Sequence, residues 1–272
     1  MKKISVIIGI ISLIFIISGC GNQTIRANGI MIDGEFSLEG QQINEINISF
    51  PGIVNIETKP SDVVSWTIDE NLIEHLDINI NSQGLLRIDV IRASNNFDFN
   101  LSDSGGIEFN VGITAIRNLR LRGVSNAIVD GAFEVTNFGL EMSGVTSVRG
   151  LNVSALYSVI INMSGVTNLR DSIFSAETLT LNASGVSSIQ GTTTSFIGDE
   201  LIFTVSGTSS LTAGGNTPEL VVTASGSSSV NLTTLQAQNG SITSSGTSSV
   251  IINVSGILAE SSTGASSIRN VA

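Results

Sequence analysis

The 272-residue chain holds one His, one Cys, one Trp and one Tyr, and only three Pro. One imidazole excludes a site built on paired histidines, and one thiol excludes a disulfide framework. Aromatic residues make up 5% of the chain and charged residues 13%, so clustered acid–base chemistry has little to draw on. Scarce proline leaves little to interrupt long ladders of strand hydrogen bonds. What the chain has instead is 28 Gly and 41% hydrophobic residues. Its length suits one or two domains with a substantial core.

Lys2 and Lys3 precede an apolar run of 14 residues, Ile4 to Ile17, broken by Ser5, Gly9 and Ser12. A basic start, such a run and small residues at its end read as a secretory leader over residues 1–19. The run is shorter than the roughly 20 residues that span a membrane. Its ending, Ile17-Ser18-Gly19-Cys20, resembles the lipobox of bacterial lipoproteins. That resemblance implies cleavage before Cys20 and lipidation of its thiol. Lipidation also accounts for an odd cysteine count in an exported chain. Without Lys2 and Lys3, 10 basic residues face 23 acidic ones, a formal charge of −13. Such a chain repels nucleic acid and anionic lipid heads. Membrane attachment through Cys20 therefore rests on acyl chains. Residues 20–30 read as a polar tether. Gly21, where an Asp would mark inner-membrane retention, favours the outer membrane of a Gram-negative cell by resemblance to lipoprotein sorting; a Gram-positive surface fits the same motif.

The body is a repeat. Met142-Ser-Gly-Val-Thr-Ser-Val148 is followed by Met163-Ser-Gly-Val-Thr-Asn-Leu169 and Ala183-Ser-Gly-Val-Ser-Ser-Ile189. Further copies centre on Gly207, Gly226, Gly246 and Gly264, and a looser one on Gly123. From Gly123 through Gly144, Gly165 and Gly185 to Gly264 the spacings are 21, 21, 20, 22, 19, 20 and 18. Apolar residues alternate before each glycine, as in Leu179-Thr-Leu-Asn-Ala183, and again after it, as in Val230-Asn-Leu232. Period two predicts strands, and the intervening glycine a bend. A unit of about 20 residues cannot bury a face alone, whereas stacked coils can. At roughly 4.8 Å per paired strand, eight coils predict a rod about 35–40 Å long. The serines beside the glycines (Ser143, Ser164, Ser184, Ser206, Ser225 and Ser245) would line one corner and satisfy backbone groups. A β-sandwich is the competing architecture, but gives no reason to hold one heptapeptide at a fixed phase.

Residues 31–115 read as a separate β region that caps the solenoid of residues 116–272. Strands are expected at 43–50, 52–57, 63–68, 76–80 and 85–90, with a helical turn over Glu70-Asn-Leu-Ile-Glu-His75. No such cap is visible after Ser261. The stretches Ile43–Ile56, Val63–Ile68, Asp69–Ile78 and Gly84–Val90, with the later Ser-Gly repeats, resemble the head GIN domain of autotransporter-adhesin type (DUF2807). The resemblance covers about residues 40–270. It implies a right-handed parallel β-helix-like, all-β body on exported, often lipidated, bacterial proteins, and brings no catalytic residues. The chain departs from that pattern in lacking an aromatic-Gly-Pro ending.

Candidate chemistry is thin. His75 is the only imidazole available to activate a serine, and it falls in a region that reads as a surface turn or helix end. Asp98-Phe-Asn-Leu-Ser-Asp103 spaces oxygen ligands at alternate positions. However, Asp103 stands where a calcium loop needs Gly, and no Glu follows at the twelfth position. After residue 150 the acids (Asp171, Glu177, Asp199, Glu200, Glu219 and Glu260) are scattered among two bases, Arg170 and Arg269. That pattern disfavours a polysaccharide-cleaving β-helix enzyme. Arg117, Arg120 and Arg122 cluster. The last two alternate with Leu119 and Leu121, so they share an outer face and could hold an anionic sugar or keep a strand edge soluble. Trp66 and Tyr157 sit in apolar-alternating runs and are expected in the core. The sequence therefore points to a non-catalytic envelope lipoprotein that needs no cofactor or metal, mediating adhesion to a glycan or protein. The alternative is a scaffold that self-associates end to end. Nothing in the sequence specifies an oligomeric state.

Overall fold

The heptapeptide Met163–Leu169 shows how alternation becomes structure: Met163, Thr167 and Leu169 are buried and Val166 is exposed.

 

A computed structural model describes residues 23–91 and 97–272, so the leader and Cys20 lie outside the described residues. Around each Ser-Gly turn the residues two and four places after the glycine point inward, and the residue directly after it points out. Val166–Arg170 pairs in parallel with Val145–Arg149 on one side and Val186–Gln190 on the other, in register. The same relation recurs from coil to coil. The result is an all-β solenoid of about seven turns with coils of about 21 residues.

Each coil has three faces. The strands before and after the glycine supply two. The third is built by residues 132–135, 152–155, 173–176, 195–198, 214–217 and 234–237, stacked in parallel. Its residues run straight on into the next pre-glycine strand, so one long strand such as Asn152–Met163 turns a corner. A shift of register between Ser154 and Ser158 marks that corner. Inside, side chains stack as rows along the axis. One row runs Leu86, Ile46, Leu119, Leu140, Ile161, Leu181, Phe203, Val222 and Ile242, all buried. Beside it Phe174 and Phe196 stack at 5.8 Å with their planes 13° apart, and Phe203 closes on Phe196 at 5.3 Å. Stacked rings of this kind add about 0.5–1.5 kcal/mol beyond the area they bury.

The eight repeat glycines do form a column. All have φ between +72° and +87°, a region that L side chains enter at a cost. Space is equally restrictive: a Cβ on Gly165 would lie 2.5 Å from the carbonyl oxygen of Gly144. Two ladders of hydroxyls flank this column. Of the serines before the glycines, Ser184 and Ser206 reach the preceding coil, Ser184 Oγ donating to Met163 O at 3.2 Å and Ser206 Oγ to Ala183 O at 3.4 Å. In the buried row two places after the glycines some hydroxyls close the turn itself, as Ser187 Oγ does in donating to Ser184 O at 2.6 Å and Ser248 Oγ to Ser245 O at 2.8 Å, whereas those of Thr146 and Ser228 have no partner among the described residues. Both ladders act structurally, as expected for hydroxyls at a bend.

The first rung comes from the N-terminal region. Glu45–Ile48 and Gly52–Glu57 pair in parallel with Asn118–Leu121 and Val124–Asp130. Beneath them lie Leu85–Val90 and Glu108–Gly112, again parallel. The direction then reverses: Leu76–Ile80, Val63–Asp69 and Met31–Ser37 add antiparallel strands. The expected helical turn is a 3-10 helix, Glu70–His75, whose Leu72 is buried. Phe109 packs edge to face on Phe50, and Phe99 packs on Phe50 at a tilt of 44°. Gln23–Arg26, within the stretch read as tether, pairs with Phe97–Asn100.

Candidate functional site

Where the third face bends into the pre-glycine face, side chains shrink. Ala155, Ala176, Gly198, Thr217 and Ala237 occupy equivalent places on successive coils and form the floor of an open groove of about 910 Å³. From Glu134 to Ser255 the groove crosses six to seven rungs, roughly 25–30 Å at about 4.8 Å per rung. One flank carries Ser154, Ser175, Ile197, Asn216 and Gln236; the other carries Leu156, Glu177, Asp199, Pro218 and Gln238. Amides and hydroxyls thus repeat along the axis over an apolar floor. Glu134, Glu177 and Asp199 line the groove, and no Lys, Arg or His does.

Tyr157 stands beside this groove, contrary to its expected place in the core. It is 51% exposed, and its neighbour Leu156 is 59% exposed. The cause is the irregular register between Ser154 and Ser158, where three residues face two on the next coil. The surplus turns Leu156 and Tyr157 outward. Trp66, the other residue expected in the core, is half-buried and lies across Gly34 on the opposing strand.

A family described as "Putative auto-transporter adhesin, head GIN domain" matches residues 42–196 and again 175–272. The chain belongs to the head GIN domain family. No curated protein matches it. Among solved structures, a "putative lipid binding protein" from Parabacteroides distasonis is similar, with 20% identity and a TM-score of 0.74 over 92% of this chain and 100% of its own. A "putative adhesin" from Parabacteroides merdae has 14% identity and a TM-score of 0.62, with 92% of this chain and 100% of that one covered. One from Bacteroides fragilis has 15% identity and a TM-score of 0.58, with 91% and 100% covered.

In this head GIN solenoid the arginine cluster is largely occupied. Arg120 donates twice to Glu141 on the next coil, Nε to Oε2 at 2.5 Å and an Nη to Oε1 at 2.8 Å. The bidentate bond raises the Arg120 pKa, and the same hydrogen bond lowers that of Glu141. Arg122 approaches Glu141 at 3.9 Å. Arg117 is exposed beside the strand Asn118–Leu121. Arg120 and Arg122 therefore face outward together beside Glu141, with Arg120 already engaged by that carboxylate and Arg117 placed before the strand. His75 sits 3.5 Å from Glu74 and edge-on to Phe99. Asp103 pairs with Arg26, and among the described residues no group of three or more His, Cys, Asp or Glu could hold a metal ion. No described helix is long and apolar enough to cross a membrane.

Sequence reasoning missed the groove, although a signal was present. Its floor residues recur at spacings of 21, 22, 19 and 20 from Ala155 to Ala237, in step with the repeat glycines.

Proposed function

We propose that the protein is an exported lipoprotein, held to the cell envelope by acyl chains on Cys20, whose solenoid binds an extended glycan or protein segment along the groove beside Tyr157. Its role is adhesive and non-catalytic. The observation that carries this reading is the groove: it is long, open and shallow, repeating hydrogen-bonding groups at the spacing of the coils. Such a surface suits a polymer better than a small substrate, which needs a concave site. Exposed Tyr157 gives that polymer an aromatic face to stack on. The family resemblance to adhesins supports the same reading. An acyl chain would be served badly, since the groove is open to water and lined by Glu134, Glu177 and Asp199. In a Gram-negative cell the anchor belongs in the outer membrane.

Two measurements test this. Binding of the unlipidated protein to an array of glycans and envelope or matrix proteins should give hits that Tyr157→Ala weakens several-fold. An array without hits, or hits indifferent to Tyr157→Ala, would refute the groove as the binding surface. Labelling of cells with a radioactive fatty acid should mark the wild-type chain and leave Cys20→Ser unmarked; equal labelling would remove the anchor from Cys20.

A further inference from the structure

The two ends of the solenoid differ in chemistry. The last rung, Leu258–Ser262 and Ser267–Asn270, pairs with the coil before it and with nothing beyond among the described residues. Its outer edge therefore presents unpaired backbone donors and acceptors, which ordinarily invite another strand. Three features of this rung oppose that.

First, Glu260 pairs in register with buried Ile242. Parallel strands in register share faces, so Glu260 continues an inward row of nine apolar residues with a carboxylate. Second, the charge is placed selectively. From residue 220 to the end of the sequence Glu260 and Arg269 are the only charged side chains, and both fall in the last rung. Arg269 pairs with half-buried Ile251 in the outward row, across the sheet from the inward row of Glu260. Third, the third face is finished by a side chain. Asn270 Oδ1 accepts from Val254 N at 2.9 Å, and Asn270 Nδ2 donates to Val254 O at 2.8 Å. This carboxamide occupies the place a further strand would take.

We propose that the last rung is a built stop, in which Glu260 refuses end-to-end addition of a second copy of this chain. Two copies meeting through this end would be related by a two-fold axis, laying antiparallel strands against one another. That contact would bury two Glu260 carboxylates in one apolar interior. Each would lose water, with no base in the inward row to pair with, and like charges would face each other. The inference stands apart from the groove and its ligand, and it weighs against an end-to-end scaffold.

The test uses a chain starting at residue 20 with Cys20→Ser, which keeps every described strand. Sedimentation velocity should find the parent monomeric at high concentration. Glu260→Leu should double the sedimenting mass, and X-ray scattering should show a particle lengthened nearly twofold. Adding Ile268→Glu to Glu260→Leu should return the monomer. Growth should stop at the dimer, because the other end is closed by antiparallel strands. A monomeric Glu260→Leu, a dimer packed side by side, or a parent that already associates through this end would each overturn the proposal. Should Glu260→Leu not fold, Glu260→Val is read in its place with the same outcomes.

Discussion

Replacing Gly165 by Ala tests the glycine column directly. At Gly165 φ is +87°, and a Cβ would stand 2.5 Å from Gly144 O and 2.9 Å from Gly144 N. The left-handed backbone costs an alanine about 1–2 kcal/mol. Because the obstructing atoms are backbone held in the ladder, relief requires the two coils to part, worth about 1–3 kcal/mol as overpacking. Loss of glycine's freedom in the unfolded chain returns about 0.4–1 kcal/mol. The net expectation is a destabilisation of about 2–4 kcal/mol. Gly40 supplies the control: its φ is +77°, yet a Cβ there meets nothing within 4 Å. Gly40→Ala should therefore cost only the backbone strain less the unfolded-state gain, about 0–1.5 kcal/mol. Urea unfolding followed by circular dichroism measures both. Trp66, the only tryptophan, lies in the cap strand Val63–Asp69 and reports on that end alone. Coils contact only their neighbours, so Gly165→Ala should move the circular dichroism transition ahead of the Trp66 transition. Equal losses for the two variants would refute the claim that close approach between coils requires glycine.

Three further outcomes follow from contacts already described. Gly34→Ala would place a Cβ 1.9 Å from Cζ2 of Trp66, so the indole must move; its fluorescence maximum should shift, and an unchanged spectrum would contradict the cross-strand packing. Phe196→Ala removes a fully buried ring from between Phe174 and Phe203 and should cost about 3–5 kcal/mol in chemical unfolding. The Arg120–Glu141 pair lowers the folded pKa of Glu141, so its contribution is complete above the unfolded-state value and fades as pH falls through the folded one. Both side chains are partly exposed, at 36% and 47%, so a double-mutant cycle at neutral pH should give under about 1 kcal/mol. The coupling should shrink in acid; coupling that grew there would reverse the assignment.

Much of this architecture is legible in the primary sequence because one turn is repeated at one phase. Ser-Gly-Val-Thr places glycine at the corner, and the alternation on either side assigns Met163, Thr167 and Leu169 to the interior. The strands of the cap and the turn at Glu70–His75 announce themselves by alternation and by a short run without it. The third face does not. Its residues, such as Asn152-Val153-Ser154-Ala155, merge with the next strand without a Gly or Pro between them. In the coil Asn152–Met163 a bulge rather than a turn residue marks that corner, and a bulge has no fixed composition. Tyr157 was misplaced for the same reason: alternation counts it inward, whereas one extra residue reverses its direction. The groove is harder still to read, since its floor is assembled from single residues about 20 positions apart. The pairing of Arg120 with Glu141 likewise depends on the rung spacing of 21.

Stacking in register also makes length a separable property of this molecule. Gly165 and Gly185 hold equivalent corners, and each follows a serine. Excising residues 165–184 would join Ser164 to Gly185, recreating a native dipeptide at a native bend. Whole storeys can therefore be gained or lost, lengthening or shortening the groove while the foundation and the roof stay as they were.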